Sequence, residues 1–217
     1  QGAAAFGATS NANGVSSVAI GVASNATGLL ATSIGAITNA TGNYSLAQGA
    51  FASATADYSI AQGAWSNASG IASISIGNAS NATGNYSIAH GYLSNASGHE
   101  SISIGNASNV TGNQSIGIGV GNQVHGHNSG AFGDPSVINA NASYSVGNNN
   151  TLAAGQTGVF ALGNDISTTT NNSVFLGSNS AYVAAGSSTK GLSAYASETL
   201  GSGPGAITLS FAGGTPA

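Results

Sequence analysis

Large aliphatic residues alternate with serine and alanine in short bursts along this chain, and each burst ends on a glycine. The bursts read Ser17-Val-Ala-Ile-Gly21, Ser45-Leu-Ala-Gln-Gly49, Ser59-Ile-Ala-Gln-Gly63, Ser73-Ile-Ser-Ile-Gly77, Ser87-Ile-Ala-His-Gly91, Ser101-Ile-Ser-Ile-Gly105 and Ser115-Ile-Gly-Ile-Gly119. A period of two predicts a strand of four or five residues, aliphatic on one face and Ser or Ala on the other. Between the bursts lie second segments, Ser24-Asn-Ala-Thr-Gly28, Thr38-Asn-Ala-Thr-Gly42, Ser66-Asn-Ala-Ser-Gly70, Ser80-Asn-Ala-Thr-Gly84, Ser94-Asn-Ala-Ser-Gly98 and Ser108-Asn-Val-Thr-Gly112. Their column of Ala26, Ala40, Ala54, Ala68, Ala82 and Ala96 suits a narrow interior, with Asn and Thr or Ser facing water.

Glycine falls at every seventh position from Gly7 to Gly147, except at Ala56 and Ala140. Gly7, Gly21, Gly35, Gly49, Gly63, Gly77, Gly91, Gly105, Gly119, Gly133 and Gly147 follow the first kind of segment and are read as structural turn glycines. A second series at 14, 28, 42, 70, 84, 98, 112 and 126 follows the other kind. One coil is therefore fourteen residues and two strands. A helix with this glycine frequency would lose roughly 0.5–1 kcal/mol at each one. Stacked coils place each strand in a parallel ladder about 4.8 Å from its next copy, and twelve or so coils make a rod on the order of 60 Å long. So thin a roll buries little apolar surface alone, and two or three chains packed side by side would close it. The sequence leaves open which face meets the neighbour.

The pattern has irregularities. Gly147 to Gly163 spans sixteen residues, with the extra length expected at Asn148-Asn149-Asn150. Pro135 lies in the coil that carries Ala140, and a proline donates no ladder bond, so the ladder is expected to loosen there. After Gly177 the repeat fades, which gives a roll over 1–177 and a closing or connecting segment over 178–217. That segment holds a turn at Gly201-Ser-Gly-Pro-Gly205 and an expected strand at Ala206–Phe211.

Composition narrows the function. Only 3% of residues are charged, with one Lys and no Arg, so there is no electrostatic footprint for nucleic acid. Cysteine is absent, which excludes disulfides and thiolate metal sites. No apolar run approaches the roughly 18 residues of a membrane helix, and no membrane contact is expected of this fragment. The chain starts at Gln1 without a signal-like segment and reads as an internal piece of a longer protein. Its carboxylates up to residue 177 form no close pair for acid and base work, so no catalytic residue, cofactor or enzyme activity is expected.

The glycine-terminated Ser-Val-Ala-Ile strands, the fourteen-residue coil and the Asn-Ala-Thr-Gly return strand together resemble the YadA-like head of bacterial trimeric autotransporter adhesins, over about residues 1 to 177. The resemblance implies an all-β fold, a left-handed parallel β-roll, assembled as a homotrimer. It also implies display at the bacterial cell surface, anchored in the outer membrane through a C-terminal region not present here, and attachment to host cells or matrix proteins such as collagen and fibronectin. The neck signature and coiled-coil stalk expected after such a head are absent from these residues. Two other readings stand beside adhesion: an ice-binding solenoid, for the Asn, Ala and Thr or Ser ladder, and a structural spacer in a surface fibre.

Candidate binding residues are those that break a column. Gln48, Gln62 and His90 stand where Ile20, Ile34, Ile76, Ile104 and Ile118 stand in other coils. In a trimer they would bond around the three-fold axis or hold a water or anion; otherwise they face a wet groove. Phe51, Trp65 and Leu93, with nearby Tyr44, Tyr58, Tyr86 and Tyr92, form either an exposed stripe for a protein ligand or intersubunit packing. His125 and His127 are two apart and would share one face of a strand, but they lack carboxylate or Cys companions, so no metal site is assigned. The Asn-x-Ser/Thr triplets at Asn25, Asn39, Asn67, Asn81, Asn95 and Asn109 match a glycosylation acceptor pattern that strand repetition explains equally well.

Overall fold

A computed structural model describes residues 2–182, and every regular element within them is a β-strand. The turn at Gly201–Gly205 and the expected strand at Ala206–Phe211 lie outside the described residues. Each coil contributes one three-residue and one two-residue strand, as in Val18–Ile20 followed by Asn25–Ala26. The strands are shorter than the predicted four or five because their flanking residues belong to the turns: the Ser17 N–H bonds back to the Gly14 carbonyl at 3.1 Å.

The long strands form one thirteen-stranded parallel sheet and the short strands an eleven-stranded parallel sheet. Register advances by fourteen residues. Val18, Ala19 and Ile20 pair with Thr32, Ser33 and Ile34, and Asn25 and Ala26 pair with Asn39 and Ala40. Four small side chains per coil point between the sheets; Ser17, Ala19, Ser24 and Ala26 are all fully buried. An interior this narrow has no room for branched aliphatics, so Val18 and Ile20 face out of the roll, Ile20 40% exposed.

Buried hydroxyls link the two sheets. Ser24, Ser33 and Thr38 close a ring of side-chain hydrogen bonds at 2.7–3.1 Å, and Ser75 bonds Ser80 at 2.7 Å. Ser17, Ser73, Ser87 and Ser101 have buried hydroxyls without a partner, whereas Ser45 in the same column donates to Gly42 O at 2.6 Å. From residue 110 onward the alanine column becomes Val110, Val124, Ile138 and Leu152, all fully buried. Room for the first two comes from the facing strand, where a Cβ on Gly117 would lie 2.7 Å from Val110 Cγ2.

The two glycine series answer different constraints. Gly91 has φ +138°, a conformation closed to side-chain-bearing residues, and a Cβ there would sit 2.3 Å from the Gly105 carbonyl oxygen. Gly84 has no positive φ, but its Cβ would lie 2.0 Å from the Gly98 oxygen one coil on. Its N–H also shares the Ala96 carbonyl with Thr83, at 3.3 and 3.0 Å. Ala56 and Ala140 lack that second bond, although Thr55 and Asn139 keep theirs to Ala68 and Leu152. The methyl is thus accommodated at the expense of one weak ladder bond.

The left-handed turn positions are mostly not glycine. Ala23, Ile37, Phe51 and Trp65 at one edge, and Leu30, Tyr44, Tyr58 and Tyr86 at the other, have φ between +54° and +61°. Isolated, each would cost about 1–2 kcal/mol. The ladder offsets that cost with bonds such as Tyr44 N to Leu29 O at 2.7 Å and Trp65 N to Ala50 O at 2.9 Å. Turn side chains add a second set of contacts. Asn43 accepts from Leu29 N, Asp57 from Asn43 N, Asn85 from Ile71 N and Asn113 from His99 N, at 2.8–3.0 Å, so each caps a backbone donor of the coil before it.

Two local expectations are corrected. The extra residues of the sixteen-residue coil are not at Asn148-Asn149-Asn150, because Val137–Ile138 still pairs with Thr151–Leu152 at fourteen while Tyr144 pairs with Phe160 at sixteen. The insertion therefore falls after Leu152, in the turn around Gly155, where a Cβ would meet nothing within 4 Å. Nor does Pro135 loosen the ladder. It removes one turn bond, the counterpart of Gly121 N to Asn106 O, while Gln123–Val124 remains paired with Val137–Ile138.

Gly91→Ala combines backbone strain with a clash, and is expected to destabilise by about 3 kcal/mol or more, a fall in melting temperature of roughly 6–12 °C by calorimetry. Ser87→Ala, which removes an unpartnered hydroxyl, should lie within about 1 kcal/mol of the parent or above it. In denaturant titration, Asn85→Ala should cost about 1 kcal/mol by uncapping the Ile71 N–H. Asn85→Asp, which keeps the acceptor as Asp57 does, should recover most of that loss.

Candidate interaction surfaces

The chain offers three surfaces, each a set of columns repeated by the coil. The first is the outward face of the long sheet, in which residues such as Ile60, Ile74, Ile88, Ile102 and Ile116 are half-buried. Polar side chains interrupt it at Thr32, Gln48, Gln62 and His90, Tyr144 adds a hydroxyl, and no charged residue occurs in its strands. Register places Gln48 beside Gln62, and the Gln62 Nε2 donates to Gln48 Oε1 at 3.2 Å. His90 stands apart from them between Ile76 and Ile104, exposed. The three column-breaking residues are thus a bonded amide pair and a separate imidazole on one face.

The second surface consists of the two edges of the roll, one at each turn. Phe51 and Trp65 stack at one edge, ring centroids 4.1 Å apart and 7° from parallel. Tyr44 and Tyr58 stack at the other, 5.1 Å apart and 2° from parallel, and Tyr86 meets His99 edge-on at 5.7 Å. The aromatic residues therefore form two separate rows, with Leu93 and Tyr92 in the Trp65 row, and not the single stripe expected from sequence. The two turns of a coil alternate along the chain, so residues seven apart lie on opposite edges.

The third surface is the outward face of the short sheet. Asn11, Asn25 and Asn39 pass amide hydrogen bonds along the roll at 2.8–2.9 Å, Ser53 interrupts them, and Asn67, Asn81, Asn95, Asn109 and Gln123 resume the ladder at 2.6–2.9 Å. Every Asn of the candidate glycosylation triplets belongs to this column. Alternation does not reveal the ladder, because it reports only which face a residue takes; Asn recurring at fourteen-residue spacing is the signal that does.

His125 and His127 follow the short strand Gln123–Val124 without converging. His125 Nδ1 pairs with Thr111 Oγ1 at 2.8 Å, and His127 Nδ1 accepts from Asn113 N at 3.0 Å, which leaves the His127 proton on Nε2. The described residues contain no group of three or more His, Cys, Asp or Glu able to hold a metal. The four carboxylates up to residue 177 serve as structural acceptors: Asp57 and Asp134 for backbone N–H groups, Glu100 for Gln114 and Asp165 for Asn149. No helix among the described residues is long and apolar enough to cross a membrane.

A family model described as YadA head domain repeat (2 copies) matches residues 1–24, 26–52, 40–64, 68–94 and 96–122, together more than half of the chain. Comparison with curated proteins returns no match. The YadA head family is an adhesin family. With its fourteen-residue coils, paired parallel sheets and these repeated matches, the chain belongs to the YadA head domain repeat family.

Proposed function

We propose that this roll is the surface-exposed head of a trimeric adhesin, attaching by multivalent, non-catalytic binding to host cell-surface or extracellular-matrix proteins. In this reading it is carried on the bacterial outer membrane by a C-terminal region outside these residues, and residues 178–217 connect the head to that region. The observation that supports it most is the uncharged outward face of the long sheet, apolar from Val18 to Leu176 apart from the few polar positions above, with Phe132 and Phe160 among its aliphatic residues. Full burial of a large aliphatic side chain contributes roughly 1.5–3 kcal/mol, and the half-buried residues of this face gain the part of it that the single chain leaves unused. A contiguous apolar face of this length marks an interface in a soluble protein. Three copies closing on it would leave the turn edges and the amide ladder for ligand. Three heads joined in one rod, and many rods on a cell, raise avidity by factors on the order of 10²–10⁴ over a single contact.

One observation favours a second reading, ice binding: the regular Asn column beside outward Thr27, Thr41, Thr55 and Thr83. Thermal hysteresis in the purified protein without attachment to any matrix protein would put this reading first, and its absence removes it.

Sedimentation equilibrium on the purified chain should give three times the chain mass. The paired substitution Ile76→Lys with Ile104→Lys should dissociate it while preserving the β circular dichroism signal. It should also reduce attachment to immobilised collagen or fibronectin by about 10²-fold or more. A monomeric parent protein, or a dissociated variant that attaches as well as the parent, contradicts the reading.

A further inference from the structure

At each edge of the roll a stacked aromatic pair is followed by a single alanine and then by another large side chain. Trp65 lies parallel to Phe51 at 4.1 Å, so one of its ring faces is used within the protein and the other looks along the roll axis. The next residue in that column is Ala79 and the one after it is Leu93, each joined to the coil before by the turn ladder, Ala79 N to Ala64 O at 2.9 Å and Leu93 N to Asn78 O at 3.1 Å. The free face of Trp65 therefore opens on a level that carries only a methyl group. Two coil rises separate Trp65 from Leu93, about 9.6 Å, which admits one ring at contact distance from both walls. The other edge repeats the arrangement on the same coils: Tyr58 stacks on Tyr44, Ala72 follows and Tyr86 closes the gap.

The rim of the Trp65 level is polar and uncharged. Asn78 is exposed, and its side chain makes no hydrogen bond among the described residues. Tyr92 is 52% exposed and lies beside Leu93. No charged residue occurs between Asp57 and Glu100. An apolar ring face, an amide and a phenol hydroxyl with no charge nearby are matched by a flat ligand that has C–H groups on its face and neutral hydroxyls on its edge. A protein aromatic side chain would fill the gap but leave the amide and phenol unmatched, and an acidic sugar would find no cation.

We propose that the level between Trp65 and Leu93 is a binding subsite for a neutral pyranose ring of a glycan, with its C–H face on Trp65 and its hydroxyls toward Asn78 and Tyr92. This deepens the adhesion reading by naming a ligand class.

Trp65 is the only tryptophan in the chain, so its fluorescence reports on this level alone. The full 217-residue chain is titrated separately with the methyl pyranosides of glucose, galactose and N-acetylglucosamine, with sialic acid methyl glycoside, and with N-acetylphenylalanine amide. The expected result is a saturable shift of Trp65 emission, in the millimolar range, with at least one neutral pyranoside and with neither of the other probes. Ala79→Phe fills the level with a ring, as Phe51 does in its own coil, and should abolish the response. Asn78→Ala leaves the walls in place and should weaken binding at least tenfold with the circular dichroism spectrum unchanged. The proposal is overturned if no neutral pyranoside saturates, if the acidic sugar or the aromatic amide takes its place, or if the response survives Ala79→Phe. Attachment to matrix proteins, measured in parallel, separates this from the adhesion reading: attachment by the parent protein without any pyranoside response removes the subsite and leaves adhesion standing. A pyranoside response without attachment removes the matrix-protein reading and leaves the subsite standing.

Discussion

The close approach of each coil's backbone to the next governs the rest of this roll. At the glycine turns the carbonyl of the following coil lies where a Cβ would be, 2.3 Å away at Gly91 and 2.0 Å at Gly84. Such an approach is possible only where side chains are absent, and it recurs at each turn of most coils. Between these turns the interior of the first half of the roll holds only small side chains, Ser and Ala with Thr38. Because the interior is filled by small groups, the branched aliphatics of the same strands have nowhere to go but outward. The apolar outer face is therefore a consequence of the narrow interior.

A thin interior also changes what holds the fold together. Alanine burial contributes little per residue, so the early coils rely on the unbroken ladder, on hydroxyl bridges such as Ser24–Ser33–Thr38 and on amide columns such as Asn67–Asn81–Asn95. The later coils replace part of this with Val110, Val124, Ile138 and Leu152, the first two given room by Gly117 on the opposing strand. The polar network and the larger core are alternative solutions to one packing problem, used at the two ends of one chain.

Much of this architecture was legible from the residues. Glycine spacing gave the fourteen-residue coil, alternation gave the strand faces, and the column from Ala26 to Ala96 gave the interior. Three features were not legible. The left-handed turn residues, among them Trp65 and Tyr58, look like strand or loop residues to any local rule, because ladder bonds between coils offset their backbone cost. The placement of the inserted residues depended on register, which is a relation between coils and leaves no trace in one of them. The aromatic residues read as one stripe because seven-residue spacing hides the fact that successive turns lie on opposite edges. Among the candidate site residues, Gln48 with Gln62 and Phe51 with Trp65 proved to be neighbours, since residues fourteen apart are adjacent in space. His90 stood apart, and His125 and His127 were occupied by separate partners, Thr111 and Asn113, in the turn region of the coil before.

Coils stack in register, fourteen residues apart everywhere but at the one sixteen-residue coil, and the absence of native cysteine allows a direct test. Ile74 and Ile88 occupy equivalent outward positions in neighbouring coils, with Cα atoms about 4.8 Å apart, within the reach of a disulfide. The pair Ile74→Cys with Ile88→Cys should oxidise readily to an intramolecular disulfide, whereas Ile74→Cys with Ala89→Cys, whose side chains take opposite faces, should stay reduced. Efficient bonding in the second pair, or none in the first, would contradict the stacking on which the account depends.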